Sequence, residues 1–344
     1  MSGAVILGLS GPLAAILVRS SLVRSRMGGW SPAGGRRARR GSSAARRLIR
    51  VAAATVAVVV VTAPAPAQAD PATSWTALLP AAPAGSDPSQ AAECPGGEPQ
   101  CVDQVADALS AQVAALGCSH NAVFALTYQR ITERIGEAVR TGGFFQEPSY
   151  IGHFDAAFAG EYGRAWDAWA ASQPQSTAAA WRIAFAAADA RRVRGMGNLQ
   201  LALNAHIARD MPIVLERVGL VGAAGASRKP DQDKVNEVLY NATRAIVAEL
   251  AGRYDATIDD GDVPGSVDDK ALYQWVAALR ERAWRLAEQL DAADGDAAAK
   301  GAVLDRIEAE AQASALAIEK STAYPPDSSE PAARDAYCAA HSTP

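Results

Sequence analysis

The stretch Gly197–Pro212, GNLQLALNAHIARDMP, is apolar on nearly every side when wound as a helix. A helix that is hydrophobic all round belongs in the middle of a domain, with other helices around it. The chain outward from it carries the matching signal. From Cys101 onward Ala is abundant, β-branched runs are short, and apolar residues recur at spacings of three and four. The pattern predicts helices at about 101–117, 119–141, 148–172, 177–192, 195–218, 231–254, 267–291 and 298–320. Ser119 suits an N-cap, Pro148 a first helical position, and Gly142-Gly143 and Gly252 suit helix ends. The expected fold is all-α: about eight helices bundled around a buried central one, over residues 101–320. The tail, 321–344, contains Pro325, Pro326 and Pro331 and is expected to be irregular until Cys338 ties it down.

The amino-terminal region reads differently. Residues 1–69 hold ten arginines and no acidic residue, then the apolar run Val51–Thr62 and the small-residue site Ala67-Gln68-Ala69. That order is the pattern of a secretory signal peptide, cleaved near Ala69. The apolar run is too short to cross a bilayer as a helix, which disfavours an uncleaved anchor. Arg46-Arg47-Leu48-Ile49 loosely resembles a twin-arginine signal, and an earlier apolar stretch (Ala4–Val18) allows a later true start such as Met27. The expected product is secreted or held in the cell envelope, with no stable membrane span after cleavage. Residues 70–100, rich in Pro, Ala, Gly and Ser, read as a flexible linker.

Cleavage changes the electrostatics. Ten of the 33 basic residues and none of the 37 acidic ones fall in the signal, which leaves 23 basic against 37 acidic residues, a formal charge of −14. An acidic domain repels phosphate backbones, and no basic stripe is present, so nucleic acid is not an expected partner. A small molecule or an envelope component is. Four cysteines, Cys94, Cys101, Cys118 and Cys338, suit disulfides in an exported chain, and three pairings exist. The favoured one is Cys94–Cys101, closing a Pro/Gly-rich loop, with Cys118–Cys338, tying the tail to the start of the helical body. A zinc site is the alternative, but no CxxC pair occurs.

The recurrent catalytic motifs are missing. There is no GxSxG, P-loop or HExxH, and Gly195-Met196-Gly197 has neither a preceding strand nor a third glycine. The acidic loop 255–269 fails the EF-hand pattern, since Ala256 and Ile258 would fall at ligand positions; a solvated loop is the better reading. Asn241-Ala242-Thr243 is a glycosylation sequon placed mid-helix and is discounted. His120 and His341 suit packing or solvent, and Trp166, Trp169, Trp181, Trp275 and Trp284 suit the core.

The informative residues are polar ones on faces that should be apolar. At 100° per residue, Leu199, Leu203, His206, Asp210 and Ile213 share a stripe of the central helix, which places His206 and Asp210 one turn apart on a buried face. Asn204 points to another covered side. In helix 148–172, Asp155 shares a stripe with Ile151, Phe158 and Tyr162; in helix 267–291, Arg282 shares one with Trp275, Leu279 and Leu286. Buried charges need partners, so these residues suggest one shared polar cluster. Three readings compete: a structural network in which Arg282 pairs with Asp155 or Asp210, a small-molecule pocket, and a divalent metal held by His206 and Asp210 with help from Asp155, His153 or Glu161. If the domain is an enzyme, a hydrolase is expected, with His206 and Asp210 catalytic and Asn204, Asp155 and Arg282 supporting.

A resemblance adds to this. Cys118-Ser119-His120-Asn121-Ala122-Val123-Phe124, Gly143-Phe144-Phe145-Gln146-Glu147-Pro148 and, above all, Asn204-Ala205-His206-Ile207-Ala208-Arg209-Asp210-Met211-Pro212 resemble a bacterial family catalogued only as a domain of unknown function, with an NAHI-x-[NR]-D-[LM]-P signature. The likeness covers about residues 101–290. It implies an all-helical fold with Asn204, His206 and Asp210 as the hallmark of its central helix. It implies no activity, substrate or cofactor.

Overall fold

In the computed structural model, residues 94–223, 225–259 and 267–342 are described, with backbone alone at 267–269. The expected signal peptide, the linker up to residue 93 and the middle of the acidic loop lie outside the described residues.

Among the described residues every element is helical apart from two isolated bridges. A helical hairpin of α1 (Pro99–Leu116) and α2 (Ala122–Arg140) leads into α3 (Pro148–Ala170) and the short α4 (Ala179–Asp189). The central segment follows as α5 (Gly195–Leu203), a wide turn (Asn204–Asp210) and α6 (Met211–Val218). Three long helices then close the bundle: α7 (Lys229–Arg253), α8 (Val267–Ala292) and α9 (Ala297–Thr322). A last helix, α10 (Glu330–His341), packs on α7. All eight expected helices are present, and the central segment is enclosed by α2, α3, α4, α8 and α9. Leu199, Leu201, Met211 and Leu215 are fully buried; each such side chain contributes about 1.5–3 kcal/mol.

Prolines explain one departure from the sequence reading. The tail is helical, not irregular, because Pro331 stands in the first turn of α10, as Pro99, Pro148 and Pro230 do in α1, α3 and α7. The first turn has no use for the N–H that proline lacks. Ser119 departs too: its Oγ accepts Asn121 N–H at 3.3 Å in a turn, and α2 begins at Ala122.

Pro212 has another effect. Inside a regular helix its ring would strike the carbonyl of Ala208. The chain widens instead into a π turn over Asn204–Asp210, and Met211 N–H donates to His206 O. Such wide turns recur at functional sites. Upstream, Asp255 is buried rather than solvated and accepts Gly195 N–H at 3.0 Å, capping α5. A Cβ at Gly195 would lie 2.7 Å from that carboxylate, so only glycine lets the two approach.

The disulfides are Cys94–Cys101 and Cys118–Cys338, with no free cysteine among the described residues, which excludes a zinc site built on them. Among the described residues, no helix is long and apolar enough to cross a membrane.

Candidate functional site

The π turn carries His206 and Asp210 into the centre of the bundle, where both are buried. The His206 imidazole lies flat on Phe158, with centroids 3.5 Å apart and planes within 5°. Tyr128 and Phe124 meet it edge-on at 4.7 and 5.7 Å. Its Nδ1 is 3.4 Å from Asp210 Oδ2. That same oxygen accepts Trp181 Nε1–H at 2.8 Å, while Oδ1 accepts from Arg209 Nη1 at 2.9 Å. Arg209 in turn donates to Glu308 on α9 at 2.6 Å.

The protonation states follow. Burial pushes the imidazole of His206 below its ordinary range, and the bond and charge of Asp210 only partly offset it. Burial alone would push the Asp210 carboxyl up, but the bond from His206 and the bond and charge of Arg209 outweigh it and hold it low. The pair is a carboxylate beside a neutral imidazole. With an acceptor at Nδ1 the ring keeps its proton there, which leaves Nε2 as a lone-pair acceptor. Nε2 is buried and has no hydrogen-bond partner.

The His206 ring lines a cavity between α2, α3, the central segment, α7 and α8. The cavity has a volume of about 90 Å³. Its walls are overwhelmingly apolar, with Ile131 and Ile135 from α2, Phe154 from α3, and Leu239 and Ile246 from α7. Asp155 and Tyr128 line it as well. Asp155 is buried, its Oδ2 has no partner, and burial pushes its carboxyl up to about 8, so it is mainly protonated at neutral pH. The Tyr128 hydroxyl also has no partner, and burial, with the charges of Asp155 and Asp210, raises it well above the usual phenol range. One acceptor, one carboxylic-acid donor and one hydroxyl therefore stand unsatisfied on residues that line an apolar chamber, which departs from the rule that buried polar groups are bonded.

A family of unknown function, DUF5995, matches residues 102–321. The chain belongs to that family. No curated protein matches it, and no solved structure does. The DUF5995 match runs from the start of α1 to the end of α9, so every wall of the cavity lies within it, while Cys94 and the whole of α10 lie outside.

Of the residues that the sequence singles out in this DUF5995 domain, His206, Asp210 and Asp155 come together in one region and Arg282 does not. Arg282 is half exposed and pairs with Glu310 on α9. The stripe was misplaced by one residue, which is 100° of rotation. The inward stripe of α8 is Val276, Arg280, Ala283 and Ala287, so Arg280 is the buried arginine. Trp275 and Leu279 are only partly buried, while Ala283 and Ala287 on the neighbouring face are fully buried and Leu286 and Leu290 pack on Ile307 of α9. Arg282 therefore pairs with neither Asp155 nor Asp210. Asn204 is buried, but it donates to Ala311 O at 2.8 Å and ties the π turn to α9. Glu161 is engaged by Arg164 and Arg217, and His153 is half-buried. Among the described residues, the metal-sized cluster of acidic, histidine or cysteine side chains is Cys94, Glu98 and Cys101, whose cysteines are disulfide-bonded. Four contributors escaped the sequence reading: Tyr128, Trp181, Arg209 and Arg280. Arg209 carried a weak signal, as a charge one residue before a buried acid.

Proposed function

We propose that this DUF5995 domain binds one elongated, largely apolar small molecule in the cavity, with a polar group of that molecule held by His206, Asp155 and Tyr128. The observation that carries this reading is the trio of buried atoms without partners on an apolar wall: His206 Nε2, Asp155 Oδ2 and the Tyr128 hydroxyl. Pockets of this make-up, apolar with a few convergent polar groups, are the usual form of small-molecule sites. The cavity extends along α7 from Val235 to Val247, roughly 18 Å at 1.5 Å per residue. Titration with N-phenyl-1-naphthylamine, an apolar fluorophore with one N–H, tests it. Saturable one-to-one binding is expected, abolished by Leu239→Trp, which fills the chamber. Binding that is absent, or that the filled variant leaves unchanged, overturns it.

Acid–base chemistry on the bound molecule is the second reading. It is favoured by the Asp210–His206 pair, in which a carboxylate orients a neutral imidazole whose free nitrogen is an acceptor. The hydroxyls of Thr127 and Thr243 on the cavity wall donate to backbone carbonyls, so His206 would activate water rather than a side-chain nucleophile. Asp210, with oxygens engaged by Trp181, Arg209 and His206, is poorly placed to hold an ion as well. Hydrolysis of a p-nitrophenyl octanoate probe that vanishes in His206→Ala, with the helical circular dichroism spectrum retained, supports this reading; equal rates in both proteins overturn it.

Export is part of the proposal. The amino-terminal pattern supports it, and the two disulfides fit an oxidising compartment. The mature protein recovered from the producing cell should begin near Asp70; recovery of the intact amino terminus would count against it.

A further inference from the structure

Arg280 on α8 is buried, 7 % exposed, and lines the same cavity. Its partners are neutral. Nε donates to Asn236 Oδ1 at 2.8 Å, and Nη2 donates to Gln232 O and Oε1 at 2.8 and 3.1 Å. The contact of Nη1 is the thioether of Met211, at 3.8 Å. A guanidinium has five N–H donors, so Nη1 keeps at least one without an oxygen acceptor. No ion pair joins Arg280 to any carboxylate among the described residues, although the chain is rich in acids. Arg209 and Arg334, by contrast, have Asp210 and Asp335 within 2.9 and 3.4 Å. Burial pulls the Arg280 guanidinium down to about 10, which still leaves it charged at neutral pH. The charge of Asp233, itself paired with Lys229, reaches Arg280 only from beyond ion-pair distance; a buried charge without a paired carboxylate is costly, and its retention on a cavity wall points to a counter-charge delivered from outside the chain.

Position sharpens the point. Gln232 and Asn236, which hold Arg280, stand near the start of α7. Tyr128 and His206 stand toward its other end, because Arg130, two residues past Tyr128, pairs with Glu249 there. The unpaired guanidinium and the unsatisfied His206 group thus stand at different places along α7 on the wall of one apolar chamber.

We propose that Arg280 is an anion subsite and that the ligand is an amphipathic carboxylic acid, with its carboxylate on Arg280 and its hydrocarbon body running along α7 toward a second oxygen-bearing group at His206, Asp155 and Tyr128. This rests on the cavity being a binding site. Guanidinium and carboxylate are matched in charge and in fork geometry, and the Asn236 and Gln232 bonds fix the fork beforehand. Arg280 selects the acid over its neutral derivatives.

The test compares cis-parinaric acid, its methyl ester and N-phenyl-1-naphthylamine on the disulfide-bonded protein. The wild type should bind the acid at least tenfold more tightly than the ester. Arg280→Gln should weaken the acid at least tenfold and leave the naphthylamine within twofold, and Arg280→Lys should restore part of the acid's affinity. Equal affinity for acid and ester in the wild type overturns the proposal. So does a folded Arg280→Gln that loses all three probes together, since Arg280 would then only shape the chamber. If Arg280→Gln does not fold, the wild-type acid-to-ester ratio and the lysine variant decide. If the wild type binds none of the probes, the cavity reading fails first and this one with it.

Discussion

Two histidines are buried in this domain, and their surroundings differ. His120, in the turn between α1 and α2, has both ring nitrogens engaged: Nε2 with Asp335 Oδ1 at 3.1 Å and Nδ1 with Asn198 Nδ2 at 3.3 Å. The hollow beside it has a volume of about 10 Å³. His206 has one nitrogen engaged and the other buried without a partner, on a ring that lines a chamber of about 90 Å³. Burial drives both rings toward the neutral form, His120 down to about 4. The state of the ring therefore does not separate a structural histidine from a site histidine. The separation lies in whether the protein itself completes the hydrogen bonds.

The comparison can be broken in four ways. The largest effect is expected at the Cys118–Cys338 bond, which anchors α10 and hence Asp335 beside His120. Replacing both cysteines by serine should cost about 5 kcal/mol, because the bond closes a very long loop. Urea unfolding measures this, and the folded variant should still bind the naphthylamine probe; lost binding would tie the two regions together.

His120→Ala comes next, at about 1–3 kcal/mol from the partners left unpaired, again with binding unchanged. The pH dependence carries the same contrast. His120 titrates near 4 in the folded state and near 6.5 unfolded. The stability it gives is thus present above pH 6.5 and lost as the pH falls toward 4, by up to about 3 kcal/mol. His120→Gln should flatten that acid limb.

Asp155 has the opposite sign. Its carboxyl moves from 3.8 unfolded to about 8 folded, so its contribution is present below pH 4 and lost as the pH rises toward 8. Asp155→Asn should raise stability at pH 8 by on the order of 2 kcal/mol and leave it unchanged at pH 4. Unfolding curves at the two pH values check this, and an unchanged pH 8 curve would mean that Asp155 is partnered.

The smallest change is expected at His206. His206→Leu leaves Asp210 its bonds from Trp181 and Arg209, so stability should shift by no more than about 1 kcal/mol. Probe affinity should fall about tenfold, or about 1.4 kcal/mol. A larger loss of stability than in His120→Ala would reverse the comparison.

Much of the fold was legible because helical period is a local signal. The all-round apolar run at 197–212 correctly announced a central helix, and its polar exceptions, His206 and Asp210, are buried and bonded to each other. The π turn was less visible, although Pro212 is its cause. What the sequence could not show was the meeting of distant parts: Trp181 with Asp210, Tyr128 over His206, and the emptiness between α2 and α7. Those depend on how side-chain volumes add up across helices, which no single stripe contains. The one-residue error at Arg282 came from weighing large residues above small ones, although Ala283 and Ala287 are the fully buried positions.

The Cys118–Cys338 bond has a topological consequence. It spans a sequence separation of 220, so the helical body from α2 to α9 is a covalent ring. Proteolysis at one exposed stretch inside it, such as residues 225–227 between α6 and α7, opens the ring without releasing a fragment. The nicked protein remains one molecule until a reductant reaches that sulfur pair, and the cavity keeps walls supplied by both pieces.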